Sequence, residues 1–189
     1  MRLTLLVIAL SLVGVVDGHG QSPTLQIRFV PTADSVAQAT EEYRAIWAAE
    51  GARIVAVMEG VTGLRFEVGP IEARIYEGVS YSGHHQVPMR LRASYSRDTK
   101  QATLVHELAH RLIGDLVPKG TEDHPIIFLF VYDAWTELWG KQFADEQVLV
   151  ESRRRGLYDY ATAWRDVLAL SREERSKRLH EFIDAHRGS

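Results

Sequence analysis

The chain has 189 residues, 46% of them hydrophobic, and a formal net charge of −3, which suits one globular domain or one domain with small additions. Its basic residues are dispersed, the densest stretch being Arg153-Arg154-Arg155 in a helical context, so the charge carries no nucleic-acid footprint. Cysteine is absent, which excludes disulfide staples, thiolate metal ligands and a lipid-modified cysteine.

In chain order, Met1-Arg2 gives a positive start and Leu3 to Val16 is an almost unbroken apolar run of 14 residues. A helix of that length rises roughly 21 Å, short of the roughly 30 Å of hydrocarbon a span must cross. The pattern predicts a secretory signal peptide over residues 1–18, cleaved after Gly18. The protein is then exported, periplasmic or extracellular, with no membrane span after cleavage.

Leu25 to Val30 alternates as a strand ended by Pro31. From Ala33 to about Glu59 the pattern is helical, with Val36, Ala39, Tyr43, Ile46 and Trp47 recurring at three- and four-residue steps; Gly51 and Gly60 are expected to interrupt or end it. Leu64–Val68 and Ile71–Tyr76 read as two strands of a hairpin around Gly69-Pro70. A loop holding Gly83-His84-His85 leads to a further half-buried strand, Val87 to Tyr95.

Beyond Asp98 the chain turns helical. One helix covers residues 99–113, another runs from about Pro125 to Trp139, and the remainder divides near Gly140, Gly156 and Ser171. Ser171-Arg172-Glu173-Glu174 is a capping-box pattern, with Leu179, Phe182 and Ile183 on one face of the final helix. The aromatic row Phe128, Tyr132, Trp135 and Trp139 shares one helical face and reads as core. Strands before about residue 95 and helices after it predict an α+β fold: a short twisted sheet, then a helical part over 122–189, all within one domain spanning 19–189.

The chemistry concentrates in His106-Glu107-Leu108-Ala109-His110. Residues four apart share a helical face, so His106 and His110 point the same way and can reach one zinc ion. Glu107, beside the first histidine, is placed as general base and acid for a water acidified by the metal. The flanks Thr103-Leu104-Val105 and Leu108, Ala109, Leu112 and Ile113 give the helix a buried side.

The stretch Thr103 to Leu112 resembles the extended HExxH signature of the zincin metallopeptidases. That resemblance implies a small zincin-like domain with the motif helix beneath a sheet. It also implies an edge strand, here Val87–Tyr95, that pairs with extended peptide. It further implies Zn2+ as cofactor and a peptide or protein as substrate.

A catalytic zinc usually keeps three protein ligands and an open position. The zincin subgroup with Gly three and His six residues after the motif is not matched, because Ile113 and Leu116 stand there. His124 is the favoured third ligand, free to turn from a helix start toward the motif. Glu122, Asp123 and Glu137 are the alternatives, and Asp133 is a candidate acceptor for a ligand's ring N–H. Tyr132, His84 and His85 are candidates for stabilising an oxyanion. The leading expectation is a zinc-dependent metallopeptidase. The other readings are a zincin-fold binding or assembly protein with a structural or vestigial metal site, and a zinc amidase acting on a non-protein amide.

Overall fold

The computed structural model describes residues 25–67, 69–83, 87–118, 120–155 and 158–187. The expected signal peptide and His84 and His85 lie outside these residues. Three strands and six helices follow in the order β1 (Gln26–Pro31), α1 (Ala37–Thr62), β2 (Pro70–Tyr76), β3 (Met89–Arg92), α2 (Arg97–Ile113), α3 (His124–Trp139), α4 (Lys141–Ser152), α5 (Tyr160–Leu168) and α6 (Arg172–His186). The fold is therefore mixed α and β and mostly helical, with the strands ahead of the helices that follow residue 97.

Helix α1 runs unbroken through Gly51 and Gly60 and ends at Gly63, whose φ of +69° suits a residue without a Cβ. The expected interruption at Gly51 does not occur. Glycine costs about 1 kcal/mol in a helix interior, but Gly51 is buried under the Trp47 ring, where an added Cβ would lie 2.7 Å from Cδ2. Packing outweighs propensity there.

The sheet is parallel, in the order β1-β2-β3. No hairpin forms around Gly69-Pro70. Strand β2 is central, with β1 on one side and β3 on the other, so β2 has no free edge left for a hairpin partner. Leu64 and Phe66 still pack against the core, and their backbone N–H groups donate to side chains instead, Leu64 to Thr62 Oγ1 at 3.2 Å and Phe66 to Glu59 Oε1 at 3.0 Å. The alternating pattern there records half-burial rather than pairing. The expected strand over Val87–Tyr95 shortens to the four residues of β3.

Helix α2 is buried continuously from Thr99 to Ala109. Leu104, Val105, Leu108 and Ala109 join the core, while the polar Gln101 is satisfied by Glu50 at 2.6 Å. Buried Lys100 pairs with Glu42 and lies over the Tyr43 ring. On the other side of α2, Phe128 and Trp135 of α3 are fully buried, and Phe128 stacks on Trp164 of α5 at a centroid distance of 3.8 Å. The aromatic row thus supplies core, as expected, with Trp139 only partly buried. No described helix is long and apolar enough to cross a membrane.

Candidate metal centre

Serine 96 caps the start of α2, its side chain accepting from the Thr99 N–H. From that start the helix carries His106 and His110 on one face, with ring centroids 5.0 Å apart. Helix α3 begins at His124 itself, after a loop that turns through Gly120 at φ +85°. Its packing against α2 brings the His124 ring to 5.3 Å from His106 and 4.8 Å from His110. One donor atom from each histidine lies within 4.8 Å of the others, a spread that a single ion can gather.

Each imidazole has a carboxylate at Nδ1. Asp123 Oδ2 is 2.7 Å from His110 Nδ1, Glu122 meets His124 Nδ1, and Glu151 Oε1 of α4 lies 2.9 Å from His106 Nδ1. The last approach is short, but His106 Nδ1 makes no aligned hydrogen bond. Carboxylates at Nδ1 leave Nε2 as the donor on all three rings, the arrangement that orients metal-binding histidines. Asp123 stands at the N-cap of α3 yet makes no side-chain cap; its carboxylate serves His110.

Burial disfavours charge throughout the site, although at His110 it is overcome by Asp123 and Glu107 and the value rises. Burial lowers His106 to about 4 against the pull of Glu151, keeping that ring neutral and able to ligate. Burial raises the Glu107 carboxyl to about 7, partly opposed by His110 and Arg154. For His124 burial again lowers the value, against Glu122. Glu151 is driven to about 2: its burial is overcome by His106, Arg154 and Trp164, the last donating through Nε1 at 3.1 Å.

A cavity of about 570 Å³ opens over the three histidines. Its walls include Glu107, the Val79–Ser82 segment, Arg92, Tyr95, Arg154, Arg155, Tyr158 and Tyr160. The Tyr160 hydroxyl is 3.0 Å from His124 Nε2, and the Tyr158 ring stacks on the His124 ring at 4.5 Å. These donors fit a divalent ion of the zinc type: three imidazoles, carboxylates behind them and space in front.

Several sequence candidates lie elsewhere. Glu137 pairs with Arg172, and Asp133 is held by two bonds from Arg175, so neither meets the histidines. The Tyr132 hydroxyl donates to Asp145 at 2.8 Å, away from the cavity. Asp123 and Glu122 are at the site, engaged with ring nitrogens. Sequence reasoning did not single out Glu151, Tyr158 or Tyr160, and it met Arg154 only as part of the short basic stretch Arg153-Arg154-Arg155. The only signal for them was their type, in a helical third with no motif of its own.

Strand β3 is an edge strand, but its outer groups are already used. Arg90 exchanges two backbone bonds with Tyr81, at 2.9 and 2.8 Å. The Arg92 N–H donates to Ser80 Oγ at 3.2 Å, and its carbonyl accepts from the Tyr43 hydroxyl at 3.0 Å. An extended peptide would have to displace Ser80–Tyr81 to pair with β3. The turn returning to β3 needs glycine: Gly83 sits at φ +62°, where a Cβ would come 2.4 Å from the Val87 carbonyl oxygen.

Comparison with protein-family models, with curated proteins and with solved structures finds no match.

Proposed function

We propose that this chain is an exported zinc-dependent metallopeptidase of zincin type, with zinc held by His106, His110 and His124. One observation carries the reading: three imidazole donors converge at the floor of a cleft that also holds a buried carboxylate next in sequence to one of them. Export rests on the apolar run from Leu3 to Val16.

When bound there, zinc supplies Lewis acidity, polarising a scissile carbonyl and making water a stronger acid. The protein's part is positioning and proton transfer. Glu107, raised to about 7 by burial, exchanges a proton near neutral pH; a divalent cation at the histidines draws that value back toward the ordinary carboxylate range. Its carboxylate takes the proton from the attacking water and returns it to the departing amine. The Tyr160 hydroxyl, beside His124 Nε2, is placed to donate to the oxyanion that develops on the former carbonyl oxygen. Glu151, Asp123 and Glu122 hold the rings so that three Nε2 atoms present together.

The test is Glu107→Gln. Peptide hydrolysis by the zinc-loaded protein should fall by roughly 10²–10⁴-fold, while zinc content by atomic absorption stays at the unsubstituted level. Chelation should remove activity and added zinc should restore it. Full activity in the variant would overturn the mechanism.

A further inference from the structure

Described residues of the connection between α4 and α5 form one wall of the cleft, where Tyr158 stacks on the His124 ring. Two consecutive arginines of that connection, Arg154 and Arg155, line the same cavity as the histidines. Arg154 is held in place: its guanidinium reaches Glu151 at 3.3 Å and lies 5.6 Å over the Tyr160 ring. Arg155 is exposed and has no ion-pair partner among the described residues. The third cavity arginine, Arg92, is already engaged by Glu77 at 2.7 Å. The carboxylates that line the cavity, Glu107 and Asp123, belong to the histidine group.

We propose that Arg154 and Arg155 form an anion subsite that receives a carboxylate on the substrate, so that the cleft takes carboxylate-bearing short chains. Calling that ligand a substrate rests on the peptidase reading above; the anion subsite itself does not. A guanidinium presents a planar fork of donors that matches a carboxylate's two oxygens. Arg154 is pre-oriented by Glu151 and Tyr160, and Arg155 brings an uncompensated charge. At about 570 Å³ the cavity has the size of a small-ligand site rather than a groove for a folded protein. The occupied edge of β3 agrees with this, since a long extended chain finds no ready backbone partners there. Val79 and Tyr81, 81% and 54% exposed, also line the cavity and offer apolar contact to a neighbouring side chain. The carboxylate has two possible sources, a chain terminus and an acidic side chain.

Calorimetry or NMR titration of the full chain in chelator, where no metal can bind a carboxylate, separates these. The probes are N-acetyl-tyrosine, its uncharged amide, and the α-amide of N-acetyl-aspartate. A carboxylate probe should bind about tenfold or more tightly than the neutral amide; the first probe winning assigns a chain terminus, the third an acidic side chain. Arg155→Gln, an exposed change that leaves Glu151 paired, should bring the ratio close to one, and Arg155→Lys should keep part of it. Equal binding of all three probes would overturn the proposal, as would a ratio that survives Arg155→Gln. Zinc-dependent cleavage with no carboxylate preference defeats the subsite and leaves the peptidase reading standing. A carboxylate preference in a protein that hydrolyses nothing does the reverse.

Discussion

Helix α3 touches two clusters of charged residues. At its start, His124 meets His106 and His110, and each ring is backed by a carboxylate. Further along, Asp133 and Glu137 line a second cavity of about 340 Å³ with Arg172 and His180. Both clusters hold acids and histidine beside an opening, and both offered zinc-ligand or outer-shell candidates in the sequence. They differ in what faces the acids. At the first, each carboxylate meets an imidazole Nδ1 and turns the other nitrogen outward as a donor. At the second, each meets a guanidinium, which consumes the carboxylate's charge and offers a cation nothing. The partner of an acid, more than its presence, decides whether a cluster can bind metal.

The sharpest way to break this comparison is to remove a donor on each side. His124→Ala should weaken zinc binding by more than the roughly 10–100-fold typical of losing an outer partner, read by competition with a chromophoric chelator, whereas Glu137→Ala should leave zinc affinity unchanged. Comparable losses in both would erase the distinction. Asp133→Ala tests the second cluster as structure. It strands the buried Arg175, and breaking such a pair costs about 3–5 kcal/mol, read as a lower denaturant midpoint. Zinc affinity of the folded protein should not change.

Glu151→Gln probes the outer shell of the first cluster. Zinc affinity should drop by roughly 10–100-fold, and the visible spectrum of the cobalt-substituted protein should shift as the His106 ring loosens. An unaltered affinity and spectrum would make Glu151 a packing residue only. The smallest effect belongs to a region remote from both clusters. Ser171 and Glu174 form a reciprocal cap on α6, and Ser171→Ala should cost about 1 kcal/mol. The Ser171 N–H holds the Glu174 carboxyl below its ordinary value. That contribution is present above the unfolded pKa of roughly 4.3 and is lost as pH falls through the lower folded value. Protection factors of the amides in the first turn of α6, taken against the intrinsic exchange rate at each pH, should therefore fall in acid, with no change at the histidines beyond their own titration.

Local patterns were legible where local physics decides. The spacing of His106 and His110, the capping box at Ser171 and the apolar stripe of Leu179 and Ile183 depend on helical periodicity, which the sequence displays directly. The same periodicity found α1 out to about Glu59 but expected a break at Gly51, because a propensity rule does not see Trp47 lying over the glycine. Alternation read Leu64–Val68 as a hairpin strand and mistook the half-burial of Leu64 and Phe66 for pairing, since pairing depends on which edges of β2 are already taken.

By itself the sequence determined that two imidazoles and a carboxylate share one turn of helix, because that relation is set by 3.6-residue geometry within five consecutive positions. It favoured His124 as the third donor over Glu122, Asp123 and Glu137, without being able to bring any of them to the motif. Only the tertiary structure brought His124 rather than Glu137 to the other rings, placed Glu151 behind His106 and set Tyr160 and the two arginines around the cleft. Those juxtapositions come from how α2, α3, α4 and the turn before α5 pack around a common core. Packing joins residues far apart in the chain, and no local spacing encodes it.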